Sequence, residues 1–324
     1  LVHLDGDGTA TFMITISALL PIYKKLGMKR LLLPCIVALS AGVMHLVPWS
    51  GTMARAMNVM QTDTANLLVP ILPSMIAGII WVLGVAYWLG QKERKRIGIV
   101  HLDYDHLEEI SEKQKLIRRP KLFWLNALLT VLLIGSLIVD ILPPPALFII
   151  GFSVALLINY PSQIEQRKRM ADHAGNVFFV SIMIFAAGVF SGILTGTKMI
   201  DAMAGSLVSL IPGQHAVFLP SIVGVTSMPL SLAFTPDAYY FGVLPVLKNT
   251  MVHFGRDAIE VGRAAVLGQM TVGFPLSPLT ASTFVLVGLS EVELSDHQRF
   301  TFKWAFGTTI VMTIIALLTG AIHI

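Results

Sequence analysis

Thr235-Pro-Asp-Ala-Tyr-Tyr-Phe241 and Gly273-Phe-Pro-Leu-Ser-Pro278 decide the fold between them. Each lies inside an apolar tract. Ala216 to Phe234 carries no charge, and Phe241 to Leu247 is apolar again, so Asp237 stands within hydrophobic sequence beside Pro236, Tyr239 and Tyr240. Ala264 to Leu289 is also uncharged, yet Pro275 and Pro278 interrupt its centre. Proline removes a backbone donor and clashes with the preceding turn, so a helix breaks there. In lipid, a broken backbone survives only where protein or a watery cavity takes up the freed groups. A carboxylate at a hairpin tip, followed by a broken helix, is the pattern of a midplane site in a secondary transporter.

The same plan occurs at the start of the chain. Leu4-Asp-Gly-Asp-Gly-Thr-Ala-Thr-Phe12 is a polar, glycine-rich tip, and Met13 to Ile22 is an apolar returning arm. Leu31 to Val47 follows without a charge until Pro48-Trp-Ser-Gly-Thr52 breaks it. The interval from Asp7 to Pro48 nearly matches that from Asp237 to Pro275. Two such pairs in corresponding positions are the sequence pointer to a transport site built from repeats.

Composition fixes the class. The 324 residues are 55% hydrophobic and 13% charged, with mean hydropathy +0.75. Soluble domains carry about 25% charged residues. The expectation is an all-α polytopic membrane protein with inverted repeats, each holding a re-entrant hairpin and a broken transmembrane helix. The net charge of +4 is gathered in a few loops; it bears on topology and not on nucleic acid. Cys35 is the single cysteine, which excludes an intrachain disulfide or a zinc cluster and reads as a packing residue. The chain begins without Met at a position that reads as mid-hairpin, so a first arm is expected upstream of Leu1.

Three segments are expected. Residues 1–66 form the first hairpin arm and broken helix. Residues 67–197 form scaffold helices with a cytoplasmic loop at 91–121, including a short surface helix over 102–116. Residues 198–324 form the second hairpin, broken helix and final helix. The basic turns at 24–30, 91–96 and 166–169 face the cytoplasm by the positive-inside tendency. The Pro143-Pro-Pro145 turn and the C-terminus then lie outside.

The chemistry gathers at the tips and breaks. Asp5-Gly-Asp-Gly8 resembles a calcium loop, but the twelfth position from Asp5 is Ile16 and not Glu, so an EF-hand is rejected. Asp5 and Asp7 either meet a cation or cap the returning arm. Asp237 is an intramembrane carboxylate, functional by default. It can carry a coupling proton, ligate a metal, or pair with Arg263 or Arg55. Arg55 follows a break, where a guanidinium can grip a carboxylate. Thr9, Thr11, Ser50, Gly51, Thr52, Thr235, Tyr239, Ser277 and Ser282 are the other candidate substrate contacts, and His45 precedes the first break.

These stretches resemble the bacterial citrate–metal:proton symporter family, CitMHS. Besides Leu4–Phe12, the resemblance rests on Val47-Pro-Trp-Ser-Gly-Thr-Met-Ala-Arg55, on Thr235 through Pro245, and on Gly273 through Leu279. It covers essentially the whole chain. It implies a homodimeric carrier of the bacterial cytoplasmic membrane that takes up citrate complexed with Mg²⁺, Ca²⁺ or a similar divalent metal, driven by protons. The metal is part of the substrate, and no cofactor is implied. The sequence departs at Ser50 and Met53, where the family pattern has Gly and Pro. A sodium-coupled di- or tricarboxylate carrier of the same architecture is the alternative. A channel is a further class. An intramembrane enzyme would need a constellation such as His-Glu-x-x-His, which the chain lacks.

Overall fold

The computed structural model describes residues 8–98, 119–138, 142, 144–210 and 213–323. Asp5, Asp7, Pro143 and the segment 102–116 lie outside them. Among the described residues all regular structure is helical. The chain falls into two compact units, one of residues 1–102 with 187–324, the other of residues 103–186.

The first unit opens with α1 (Gly8–Lys25), α2 (Leu32–Met44) and α3 (Gly51–Met60). The step between α2 and α3 contains Pro48, whose missing N–H cannot continue the ladder. Gln61 ends α3 in the left-handed region at φ 54°. After α4 (Thr64–Leu68) and a 3-10 turn, α5 runs over Leu72–Ile97. The continuous helical stretch Thr64–Ile97 is long and apolar enough to cross a membrane, which takes about 20 residues. Ile76, Ile80, Leu83 and Tyr87 recur at helical spacing on α5 and are exposed, an apolar stripe turned away from the core.

The second unit contains α6 (Phe123–Ile138), α7 (Pro144–Asn159) and most of α8 (Gln163–Gly196). α6 packs on α7, and the side-chain amides of Asn126 and Asn159 bond each other reciprocally at 2.8 Å. Arg119 and Arg169 both lie over the ring of Tyr160.

The chain returns to the first unit through α9 (Met199–Leu210) and α10 (Leu219–Leu230). A turn at 231–235 leads into α11 (Pro236–Ala238), a π-helical stretch Tyr239–Val243, and α12 (Leu244–His253). Pro245 sits in the first turn of α12. Its ring cannot follow tight α geometry from the preceding turn, and the wider π turn accommodates it. Then come α13 (Ile259–Val266), a break with a 3-10 turn at Phe274–Leu276, α14 (Ala281–Ser290) and α15 (Leu294–Leu318). Glu291 ends α14 in the left-handed region at φ 56°, as Gln61 ends α3.

Packing crosses between these two successions. α1 lies against α14, while α3 lies against the π stretch, α12 and α13. The long helices α5 and α15 pack together, and α10 rests on α13 and α15. Contacts also sort the loops into two groups. The backbone N–H of Lys29 donates to Glu93 at 2.8 Å, Arg96 donates to the Gly27 carbonyl at 2.7 Å, and Lys24 and Arg30 both bind Glu291. Elsewhere, Arg263 donates to the carbonyls of Asn66 and Ala321, His323 binds Glu260, and Lys248 donates to the Val59 carbonyl. Cys35 is fully buried in the core.

Candidate functional site

The site is built where the break between α2 and α3 meets the turn at 231–235 and the start of α11. Ser50 is the N-cap of α3, and its hydroxyl accepts from the backbone N–H of Met53 at 3.2 Å. Arg55 stands one turn into that helix. Its Nε donates to Asp237 Oδ1 at 2.7 Å, and its Nη1 donates to the Gly51 carbonyl at 3.1 Å. A Cβ on Gly51 would come within 2.8 Å of that Nη1, so Gly51 is the residue that admits the arginine in this pose. Asp237 is placed by its own local motif. Thr235 caps α11 by accepting from the Ala238 N–H at 3.2 Å, which puts Asp237 in the first turn, where a negative charge is favoured.

The Arg55–Asp237 pair is neither deeply buried nor free in solvent. Each side chain retains 19% exposure. Of the two cations named from sequence as partners of Asp237, the structure selects Arg55. Arg263 is engaged with the Asn66 and Ala321 carbonyls instead.

The second break lies alongside. Met270 adopts the left-handed region at φ 56°, which re-aims the chain without a glycine. Its carbonyl accepts from Thr52 Oγ1 at 3.0 Å, and its thioether lies 3.8 Å from Arg55 Nη1. Tyr240 donates to the Gln269 carbonyl at 3.0 Å. Thr283 donates to the Phe274 carbonyl at 2.7 Å, and Gln298 to the Leu276 carbonyl at 2.8 Å. His297 Nε2 lies 3.1 Å from the Pro275 carbonyl, which can only accept, so that nitrogen carries the proton. Side chains from several elements thus take up backbone groups that the prolines release, as an apolar setting demands.

Not every buried polar group is matched. The Gln269 amide, the Thr271 hydroxyl and the Tyr239 hydroxyl are fully buried and have no hydrogen-bond partner among the described residues. Leaving such a group unpaired costs about 1–3 kcal/mol. Gln269 and Thr271 flank Met270 and so belong to the same break. They were not singled out from the sequence. A glutamine inside the uncharged Ala264–Leu289 tract was the available signal.

The other sequence candidates distribute as follows. Ser277 is buried and accepts locally from the Leu279 N–H at 3.2 Å. Ser282 is buried in the first turn of α14. Thr9 and Thr11 lie in the first turns of α1, beside Phe12, whose ring stacks on Phe274 with centroids 5.9 Å apart. His45 meets the other side of that region, its ring 4.5 Å from Phe274. The structure therefore brings together Gly51, Thr52, Arg55 and Asp237 with the Gln269–Thr271 turn. Ser277 and the start of α1 gather instead at Phe274.

Chemically, this arrangement offers one guanidinium and one carboxylate that can be parted, the N-terminus of α3, and oxygen donors from a distorted turn. That set suits an anion carrying a cation. Comparison with known proteins agrees. The CitMHS profile, described as "Citrate transporter", matches residues 1–268. The chain is 52% identical over 321 residues to a Bacillus subtilis (strain 168) protein named "Citrate transporter", spanning 99% of this chain and 74% of that one. It is 47% identical over 326 residues to the same organism's "Mg(2+)/citrate complex secondary transporter", spanning 100% of this chain and 75% of that one. A third Bacillus subtilis protein, an uncharacterized transporter, is 42% identical over 333 residues. The chain belongs to the CitMHS family of citrate transporters.

Proposed function

We propose that this protein is a secondary carrier that takes up citrate as its complex with a divalent metal, coupled to protons, in the bacterial cytoplasmic membrane. As a family member it is a transporter and not an enzyme. The observation that carries the substrate reading is the Arg55–Asp237 pair, partly exposed between the break before α3 and the turn before α11. A guanidinium there suits a substrate carboxylate, and a carboxylate there suits a metal or a proton. Complexation also lowers the charge of citrate and with it the cost of leaving water. The relative named for a Mg²⁺/citrate complex supports the same substrate form.

The architecture behind this reading is a pair of inverted repeats on two re-entrant hairpins. Its support is the twofold succession of arm, turn, broken helix, left-handed cap and long helix, and the crosswise packing of α1 on α14 and α12 on α3. The two loop groups add to it. α1 ends among Lys24, Gly27 and Glu291, whereas α12 leads toward Glu260, Arg263 and His323. Residues 1–66 and 198–324 would carry the substrate, residues 67–197 would form the scaffold, and the carrier would be a homodimer. On this architecture the protein passes through the bilayer several times. Asp5, Asp7, Thr9, Thr11, Ser277 and Ser282 complete the proposed site on the first-tip side.

The test is citrate uptake by the purified full chain in proteoliposomes, across a panel of divalent metals and with an imposed pH gradient. Uptake should track the concentration of metal–citrate complex and be stimulated by inward protons. Full uptake of free citrate in strong chelator, or dependence on sodium alone, would exclude the reading.

A further inference from the structure

Arg55 and Asp237 are each other's only ion-pair partner among the described residues. Other ionisable groups on the surrounding elements point elsewhere. Lys248 of α12 reaches the Val59 carbonyl, and Arg263 of α13 reaches the Asn66 and Ala321 carbonyls. Tyr240 is bonded to the Gln269 carbonyl, and Tyr239 is sealed in the core. A citrate carboxylate that takes Arg55 must therefore displace Asp237. It would leave a partly exposed carboxylate with no second ion-pair partner among the described residues, which is disfavoured to the extent that the group is buried.

Resting on the transport reading above, we infer that Asp237 is the residue that makes this carrier select the metal complex over free citrate, by exchange of ion pairs. The empty site holds Arg55 against Asp237. On loading, Arg55 turns to a substrate carboxylate, and the displaced Asp237 faces the cation that the substrate brings. One pair is traded for two, and neither partner is left alone. Free citrate makes the first contact but supplies nothing for Asp237, and its three carboxylates repel it. The complex carries far less negative charge and supplies the missing cation. Geometry permits the exchange. The contact is a single Nε–Oδ1 bond on side chains that are 19% exposed, and Nη1 has a separate anchor on the Gly51 carbonyl.

The experiment is binding of citrate to the purified full chain, with Mg²⁺ and with chelator, by calorimetry and by thermal shift. Wild type should prefer the Mg²⁺ form. In Asp237→Asn the repulsion toward free citrate is gone and so is the need for a cation. The ratio of the two affinities should fall by on the order of tenfold or more, as expected for removing one charge at this range. Asp237→Glu should retain the ratio. A folded Asp237→Asn protein with the wild-type ratio would overturn the inference while leaving metal–citrate transport intact. Should that variant not fold, the paired Arg55→Gln, Asp237→Asn protein removes both charges together. It should lose citrate in either form, and undiminished binding of the complex would show the pair to be structural only. A wild-type protein that binds neither form would remove the transport reading along with the inference.

Discussion

Ser50 accepts the backbone N–H of Met53 at the start of α3, and both residues are fully buried. A buried N–H must be paired, and the Ser50 hydroxyl supplies the partner. Ser50→Ala should therefore cost about 1 kcal/mol, within the usual range for a lost cap. Ser50→Gly should cost less, because glycine is itself tolerated at an N-cap. Thermal unfolding of the three proteins in detergent checks it, and a Ser50→Gly protein as unstable as Ser50→Ala would count against the capping role. At the neighbouring break, Tyr240→Phe should strand the Gln269 carbonyl and cost roughly 1–3 kcal/mol, read as a lower unfolding midpoint.

Between elements, the end of α10 is seated on the break between α13 and α14 by missing side chains. A Cβ at Gly273 would meet Ser231 Oγ at 2.1 Å and Ser231 Cβ at 2.8 Å. A Cβ at Gly268 would meet Ser227 Oγ at 2.3 Å and the Met228 backbone at 2.5 Å. The turn after α10 thus lies directly on the break. Gly273→Ala should destabilise by roughly 1–3 kcal/mol through overpacking. Ser231→Gly should restore part of that stability, because it clears both close contacts. No rescue in the paired variant would mean that the backbone at position 273, and not the contact with Ser231, was the constraint. α15 holds the same break through His297 and Gln298. Exchange of the break amides should accordingly quicken in His297→Phe, measured by hydrogen–deuterium exchange.

Across the whole molecule, the loop contacts define which ends belong together. Turn 24–30, the end of α5 and Glu291 form one group, and residues 59–66, 260–263 and 321–323 form another. Cys35 is the single cysteine of this sequence and is buried, so new cysteines can be labelled without interference from it. In intact cells, Arg94→Cys should resist an impermeant thiol reagent, and His323→Cys should react. The opposite pattern would reverse the topology. Glu291 also gives this face a pH dependence. Its bond to Lys24, followed by the charges of Lys24 and Arg30, holds its carboxyl below the ordinary glutamate value. A lowered folded-state pKa adds stability at pH values above the unfolded one, near 4.3. That contribution fades as pH falls through the native value. The carboxyl is well exposed, so the effect should be small and suppressed by salt. The acid limb of the unfolding midpoint should flatten in Glu291→Gln, and an unchanged limb would show that the cluster contributes nothing.

Much was legible without coordinates because lipid and proline impose local rules. Uncharged tracts set the class, Pro48, Pro275 and Pro278 set the breaks, and Thr235-Pro-Asp set a turn that presents a carboxylate. Those features depend on neighbours in sequence, although α5, α8 and α15 run well past the uncharged tracts into charged turns. The partner of Asp237 depended on something else. Arg55 and Arg263 were both candidate partners from sequence. What separates them is that α3 packs on the π stretch, while α13 turns Arg263 toward the carbonyls of Asn66 and Ala321. The left-handed Met270 was equally hidden. It carries no glycine to mark it, and its conformation is held by contacts with Thr52 and Arg55 from the other half of the chain. Sequence determined which groups the membrane would force into pairs. Tertiary packing decided the pairs, because hydrogen bonds and ion pairs form between atoms that the fold brings within about 3 Å, and order along the chain does not record that.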